Sequence, residues 1–333
     1  MNSFTKLIGA VSLTAFASVA SAATIKLGHV DGADWQTSKK GAAGVIFKNI
    51  VEGETTNKVE LFPAKALGNE GDLVQQVQEG TTQMAIISGA MSKVCKAASV
   101  LDIPYTFSSA TVAWDVLDGE FGQDLAKHCL AKTGLRTLAY GETGFRNFTN
   151  SKRAIKTPAD MKGLKFRVMP IPLYVEMVKG LGGEPTPIAW SELPNALSTG
   201  VVDGQENPVG TIYNNKLHKL QKYMTLDGHV YGADFIVINN DFYNSLSAQD
   251  RAVIEKAARV AGNMGRAIQQ FNTAEGVTKV VAEGMNVHSP SAAELAQFKK
   301  LAQPAVKEWL AKQLRGDASW IQKLDRAVEK ASN

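Results

Sequence analysis

The sequence predicts an α/β fold made of two similar lobes, and two patterns support this prediction. Short apolar runs typical of strands alternate with amphipathic helices over the first two thirds of the chain. This alternation is typical of a largely parallel sheet covered by helices. One unit, a helix ended by glycine, a short polar step and an apolar strand, occurs at residues 73–87 and again at 193–205. A ligand of such a fold binds between the lobes, beyond the carboxyl ends of the strands.

The first half of the chain contains three predicted strands and two predicted helices. Residues 24–30 alternate between polar and apolar side chains, which predicts the first strand, and a helix follows over about residues 38–55. Residues 59–62 predict the second strand. The next helix covers residues 73–80 and ends in glycine, and residues 84–87 predict a buried strand.

The second half begins with the same alternation. Thr157 is a typical capping residue for a short helix, and residues 164–168 predict a strand. Ser191 is predicted to cap a helix that runs through Leu197, and residues 201–203 are predicted to begin another strand.

The last part of the chain is predicted to be helical. Ser247 is a capping residue, and apolar side chains follow at helical spacing as far as Phe271. Because no proline interrupts before Pro290, the segment is either one unusually long helix or two helices in series. Ser291 and Glu294 form a second predicted cap, which opens another helix.

The amino terminus predicts export. Residues 1–22 contain Lys6, an apolar stretch over residues 7–19 and the small-residue triplet Ala-Ser-Ala at 20–22, which is typical of a cleavable signal peptide. No later segment reaches the roughly 18 uninterrupted apolar residues that a membrane-spanning helix needs. We therefore expect a periplasmic protein that is not embedded in the membrane.

The net charge and the cysteine content narrow the class of protein further. The formal net charge of +4 is small and evenly scattered, so it does not indicate a nucleic-acid partner. The chain has two cysteines, Cys95 and Cys129. In an oxidising compartment this pair predicts one disulfide that closes a loop of about 35 residues, and the alternative is two buried free thiols.

The sequence offers little support for catalysis. The five histidines are dispersed, and no H-E-x-x-H, C-x-x-C, Walker or G-x-S-x-G motif occurs. We therefore expect no metal and no cofactor. One enzymatic alternative stays open, a periplasmic acid-processing enzyme with Glu70 or Glu206 as its general base.

Basic and amide side chains cluster between residues 144 and 208. The segment contains GFRNFTN at 144–150, KGLKFRV at 162–168 and VDGQENP at 202–208. The guanidinium group of arginine matches a carboxylate through two parallel hydrogen bonds. This cluster predicts a site that captures an organic anion and leaves it unchanged.

These motifs also carry a family resemblance. Together with FP-x3-LGNE at 62–70 and PTP at 185–187, their order and spacing resemble the solute-binding proteins of tripartite ATP-independent periplasmic (TRAP) transporters, of the C4-dicarboxylate-binding type. The resemblance covers essentially the whole chain after the signal. It implies a monomeric two-domain Venus-flytrap architecture, with hinge strands and a long helix that spans both domains. It places domain I at residues 23–143 plus 232–271 and domain II at residues 144–231 plus 272–333.

The resemblance also implies a set of ligand-binding residues. Arg167 matches the arginine that forms the main salt bridge to the ligand carboxylate, and Arg146 matches one that reinforces it. Asn207 matches an amide donor, and Trp190 matches an aromatic residue that packs on the ligand. Glu70 and Ser88 match first-domain positions that contact the rest of the ligand, and Trp35 is a further wall candidate.

Several of these residues also have structural interpretations. Asn207 orders its own turn, Trp190 packs between helices, and Glu70 is a favourable charge in the first turn of a helix. Glu206 is interpreted as a structural support for Asn207 or for an arginine.

The resemblance limits the ligand and its partners without fixing them. Met169 and Pro170 follow the Arg167 strand where some relatives carry an asparagine that contacts sialic acid, so a large aminosugar acid is disfavoured. Uronates and other sugar acids, C4-dicarboxylates and short sulfonates stay open. The implied partner is a TRAP membrane permease, and the alternative is a sensor kinase.

Overall fold

The computed structural model describes residues 22–333. Apart from Ala22, the predicted signal peptide lies outside the described residues.

The described chain forms strands and α-helices that alternate through most of its length. The strands are β1 (Thr24–Gly28), β2 (Lys58–Phe62), β3 (Met84–Ile87), β4 (Leu135–Asn150), β5 (Lys165–Val168), β6 (Glu184–Pro187), β7 (Gly204–Asn207), β8 (Tyr223–Asn239) and β9 (Asn286–His288). The helices are α1 (Lys39–Glu54), α2 (Glu70–Glu79), α3 (Met91–Val94), α4 (Ala110–Asp118), α5 (Glu120–Thr133), α6 (Pro172–Gly180), α7 (Leu193–Ser198), α8 (Val209–Asn214), α9 (Asn240–Ser245), α10 (Ala248–Ala282), α11 (Ala292–Leu314) and α12 (Ser319–Ser332).

Local sequence signals fix most of the helix ends. The Ser38 hydroxyl accepts a hydrogen bond from the Gly41 amide at 2.9 Å and caps α1. Gly80 ends α2 with φ at 76°, a left-handed conformation that glycine adopts without steric cost. Thr157 and Asp160 form a capping box on a 3₁₀ turn. These predicted ends are therefore confirmed.

Two predicted boundaries in the second half are wrong. Ser191 does not cap α7, because it lies inside a 3₁₀ turn, Trp190–Glu192, and α7 begins at Leu193 with a proline in its first turn. The following strand begins at Gly204 and not at residue 201, because the Val202 amide still donates to the Ala196 carbonyl of the helix exit.

The strands form one mixed sheet in the order β2-β1-β3-β8-β4-β7-β5-β6, with β9 paired to β8. The pairs among β1, β2 and β3 and among β5, β6 and β7 are parallel, as predicted. The two long strands differ from the prediction, because β8 runs antiparallel to β3 and β4, and β4 runs antiparallel to β7. The sheet therefore consists of two parallel groups, β1–β3 and β5–β7. The two long strands β8 and β4, which run antiparallel to each other, join these groups.

The β4–β8 pair has the features expected of hinge strands. The strands are 16 and 17 residues long, and their register shifts at three places, one of them between Glu142 and Gly144. Such irregularities bend a strand pair. Gly144 has a φ of 99°, and an added Cβ would lie 2.6 Å from the Gln269 side chain, so only glycine fits at this bend.

The long helix α10 spans both halves of the molecule. It is one continuous helix of 35 residues, capped by the Ser247 hydroxyl, which accepts from the Asp250 amide at 3.0 Å. Ile254 and Ala261 are buried in a core with residues of β1 and β3, whereas Val280 is buried in a separate core with residues of α7 and α8. The two-domain architecture with a spanning helix is therefore confirmed, while the domain boundaries given above stay a prediction.

A disulfide ties two parts of the first half together. Cys95 follows α3 and Cys129 lies in α5, and the two are bonded with a Cα–Cα distance of 5.4 Å. The predicted disulfide is confirmed. Within residues 22–333, no helix is long and apolar enough to cross a membrane.

Candidate ligand-binding site

A cavity of about 300 Å³ lies between the two halves of the sheet. It lies at the carboxyl ends of strands β5 and β7 and at the amino-terminal end of helix α2. This is the position expected for a ligand of an α/β fold. Six of the seven predicted site residues line it, and they are Arg167, Arg146, Asn207, Trp190, Glu70 and Ser88.

Arg167 is a buried cation that has no acidic partner in the part of the chain that the structure describes. Its side chain is 1% exposed, and its Nε donates to the Ile188 carbonyl at 2.9 Å. No carboxylate of the described residues lies within 4.0 Å of its guanidinium group, whose centre is 5.9 Å from the Trp190 ring. Burial lowers the pKa of Arg167 to about 10, although Glu206 raises it. This charge therefore needs an anion from outside the protein.

Arg146 lines the same cavity, but the protein already neutralises it. Its Nε and Nη2 donate to the two carboxylate oxygens of Glu206, and Nη2 also donates to the Glu206 carbonyl at 2.7 Å. Burial raises the pKa of Glu206, but the Arg146 charge outweighs burial and holds the pKa at about 2. The structural interpretation of Glu206 is confirmed, and its arginine partner is Arg146.

A histidine holds Glu206 from the other side. The Nε2 of His229 lies 3.2 Å from a Glu206 oxygen, and its Nδ1 lies 2.9 Å from an Asp227 oxygen. Both ring nitrogens donate to carboxylates only in the charged imidazolium. Burial lowers the pKa of His229, but Asp227 and Glu206 outweigh burial and raise it to about 9. The ring stacks on Phe148, so the position of Glu206 is fixed.

Glu70 and Ser88 lie together on the opposite wall. The Ser88 hydroxyl donates to Glu70 at 2.8 Å, and the Ser88 amide donates at 3.0 Å. Lys40, which is 2% exposed, lies 2.7 Å from Glu70 and 3.5 Å from Asp234. Burial raises the pKa of Glu70, but Lys40 and Ser88 lower it overall. The Glu70 carboxylate is therefore ionised and largely saturated by its neighbours.

Asn207 and Trp190 complete the wall that carries Arg167. The Asn207 Nδ2 donates to the Gln205 side chain at 2.6 Å, which fixes the orientation of the carboxamide at the cavity. Trp190 is half-buried and lies beside Arg167. Trp35, the seventh predicted residue, does not line the cavity: it lies in the loop between β1 and α1 and is 54% exposed.

Three basic residues that line the cavity were not predicted from the sequence: Lys39, Lys40 and Lys93. Lys39 and Lys40 did leave a signal, because they occupy the first turn of α1, where the helix dipole disfavours cations. Their partly buried carboxylate partners, Asp31 for Lys39 and Glu70 for Lys40, explain this placement. Lys93 follows β3 without any motif that marks it.

A family model described as "Bacterial extracellular solute-binding protein, family 7" matches residues 28–313. The chain belongs to this family. A solute-binding protein from Verminephrobacter eiseniae is 40% identical to this family 7 protein over 255 residues, which is 76% of each chain.

Two solved structures share its fold. A TRAP periplasmic solute-binding protein from Polaromonas sp. JS666, bound to D-erythronate, has a TM-score of 0.84 at 34% identity and covers 91% of this chain and 98% of its own. The sugar acid binding protein of Advenella mimigardefordensis strain DPN7T, in complex with galactonate, has a TM-score of 0.85 at 29% identity and covers 92% and 98%. The family 7 protein described here is thus a TRAP-type solute-binding protein.

Proposed function

We propose that this family 7 protein captures a small organic acid in the central cavity and delivers it to a TRAP membrane permease. The acid's carboxylate pairs with Arg167, Arg146 and Asn207 add hydrogen bonds, and Trp190 packs against the carbon chain. Glu70 and Ser88 contact the far part of the ligand.

Arg167 is the observation that carries this proposal. Its guanidinium group is 1% exposed, faces the cavity and has no carboxylate within 4.0 Å among residues 22–333. A buried, unpaired guanidinium is costly, and a planar carboxylate offsets that cost through a bidentate pair. The acids bound in the two solved relatives, D-erythronate and galactonate, support a hydroxylated carboxylate as the ligand class.

Closure of the two domains completes the site. Residues 23–143 plus 232–271 bring Glu70 and Ser88, and residues 144–231 plus 272–333 bring Arg167, Arg146 and Asn207. Closing the domains excludes water, which strengthens the charge pairs inside. We further propose that residues 1–22 are a cleaved export signal and that the mature monomer acts in the periplasm.

The two candidate general bases, Glu206 and Glu70, are held by neighbouring side chains, which favours ligand binding over catalysis. Glu206 is held by Arg146 and His229, and Glu70 is held by Lys40 and Ser88. A general base needs a free lone pair within reach of the proton that it removes. Both carboxylates are instead occupied by cationic or hydroxyl donors, so we propose no catalytic step.

The proposal is tested by calorimetric titration of the refolded, ligand-free protein. The panel contains D-erythronate, galactonate, glucuronate, succinate and ethanesulfonate, with erythritol and galactitol as neutral counterparts. We expect binding to be confined to acids, and Arg167→Ala to lose about 3–5 kcal/mol of binding free energy. The matched control is Arg259→Ala, on the exposed surface of α10. Binding of the neutral polyols, or affinity for the acids within twofold in Arg167→Ala, contradicts the proposal.

A further inference from the structure

The basic side chains of the cavity fall into two groups. Three have a carboxylate partner: Lys39 lies 2.8 Å from Asp31, Lys40 lies 2.7 Å from Glu70, and Arg146 is paired with Glu206. The other two lining cations, Arg167 and Lys93, have no carboxylate within 4.0 Å in the part of the chain that the structure describes.

The two unpaired cations come from different halves of the molecule. Arg167 lies on β5 in the second half of the sheet, whereas Lys93 lies on α3, which follows β3 in the first half. The Lys93 ammonium reaches the first turn of α2, where an added Cβ on Gly71 would lie 3.6 Å from its Nζ. A ligand that fills the cavity therefore meets one free cation on each wall.

The acidic side chains near Lys93 do not supply its counter-charge. Glu70 is bound by Lys40 and Ser88. Asp72 also lines the cavity, but its carboxylate accepts the Asn69 amide at 2.7 Å within a capping box and is more than 4.0 Å from Lys93. The lysine wall therefore offers an ammonium group to the ligand.

We propose that Lys93 is a specificity-determining residue, which selects acids that carry a second anionic group at the end remote from Arg167. This inference rests on the proposed function, and it identifies diacids as the preferred ligands of the central cavity. Lys93 is exposed and Arg167 is buried, so Arg167 supplies the affinity for any acid and Lys93 discriminates between acids. A charge pair at the rim of a site contributes less than a desolvated one but still changes selectivity.

Matched acids of equal carbon number test this inference. Galactonate and galactarate differ in whether the far end is an alcohol or a carboxylate, and D-erythronate and meso-tartrate form the corresponding four-carbon pair. Dissociation constants are measured for all four acids with the wild type, Lys93→Met and Lys96→Met. Lys96 is a suitable control because it is an exposed lysine three residues away that does not line the cavity.

We expect the wild type to bind the diacid of at least one pair about fivefold more tightly than its monoacid. Lys93→Met should abolish this preference by weakening the diacids more than the monoacids, and Lys96→Met should retain it. The diacid preference should also weaken as salt is added, because salt screens an exposed charge pair.

Three results overturn the inference. They are a wild type that binds both monoacids more tightly than both diacids, equal affinity for the two members of each pair, and a Lys93→Met variant that keeps the diacid preference or weakens all acids equally. Each of these leaves the proposed function intact. Failure of every acid to bind the wild type contradicts the proposed function as well, so the two failures are distinguishable.

Discussion

Glu206 neutralises Arg146 inside the protein, whereas Arg167 has no carboxylate partner among residues 22–333. The two carboxylate oxygens of Glu206 accept from Nε and Nη2 of Arg146, and both side chains are no more than 2% exposed. Arg146 therefore lines the cavity with its charge balanced by Glu206, whereas the Arg167 charge has no carboxylate within 4.0 Å among residues 22–333.

We expect Glu206→Gln to lower the free energy of unfolding by about 3 kcal/mol, because it leaves Arg146 without a buried counter-charge and removes one of the two carboxylates that contact His229. Urea unfolding followed by circular dichroism measures the change. The control is Glu308→Gln, which removes an exposed pair with Lys312 and should cost less than about 1 kcal/mol. Equal losses in the two variants would show that the buried pair contributes no more than a surface one.

The sequence predicted most of the elements because their signals are local. Ser38 caps the start of α1 and Gly80 ends α2, so these two helix boundaries follow from a few neighbouring residues. The antiparallel β4–β8 pair depends on contacts between strands about 90 residues apart, such as that between Phe145 and Tyr231, and no local pattern records them.

The candidate site shows the same division. Arg167 and Asn207 lie within motifs whose spacing marks them, and both line the cavity. The pairing of Lys40 with Glu70 joins residues 30 positions apart, and the Lys93 ammonium approaches Gly71 of a separate helix, α2. Trp35 lies in a loop whose course the motifs do not fix, so its distance from the cavity was not predictable.

Asp102 should make stability depend on pH. It is 5% exposed, and its carboxylate accepts the Tyr174 hydroxyl at 3.1 Å. Burial raises the pKa of Asp102 to about 7, although Tyr174 and Arg146 lower it. In the unfolded chain the ordinary pKa is about 3.9, so between about pH 4 and pH 7 the folded state holds a proton that the unfolded state has lost. Its stabilising contribution is complete below about pH 4 and is lost as the pH rises through 7.

Asp102→Asn isolates this contribution, because asparagine still accepts from Tyr174 but does not titrate. We expect the variant to gain stability relative to the wild type as the pH rises from about 4 to 7. Urea unfolding of both proteins at matched pH values gives the difference in their free energies of unfolding. The contributions of the neighbouring Arg146, Glu206 and Glu70 largely cancel in this difference, because both proteins contain these residues. Two parallel stability curves across this range would contradict a raised pKa.

The disulfide should stabilise the first half of the molecule. It joins Cys95 to Cys129 across 34 residues of chain. The loop-closure model gives about 3–4 kcal/mol for a loop of this length. We expect the Cys95→Ser/Cys129→Ser double variant to lose about that much free energy of unfolding, measured by urea unfolding, and reductant to have the same effect on the wild type. The double variant should not respond to reductant; a response in it would mean that the reagent acts elsewhere.

The Thr37 carbonyl should control how firmly the two domains close. It accepts hydrogen bonds from the Asn214 side chain at 2.9 Å and from the Asn272 side chain at 2.8 Å. Thr37 follows β1, in the predicted domain I, and both amides lie in segments of the predicted domain II. None of the three lines the central cavity, so these bonds affect ligand binding through the open and closed populations.

We expect Asn214→Ala/Asn272→Ala to weaken acid binding about five- to tenfold, because two bonds that join the predicted domains are lost. Calorimetry measures the affinity, and small-angle scattering at saturating ligand shows whether a larger share of the protein stays open. Asn215→Ala is the matched control, because its amide bonds the Thr211 carbonyl of its own helix at 2.9 Å. An equal loss of affinity in Asn215→Ala, or unchanged affinity in the double variant, would remove Thr37 from the closing mechanism.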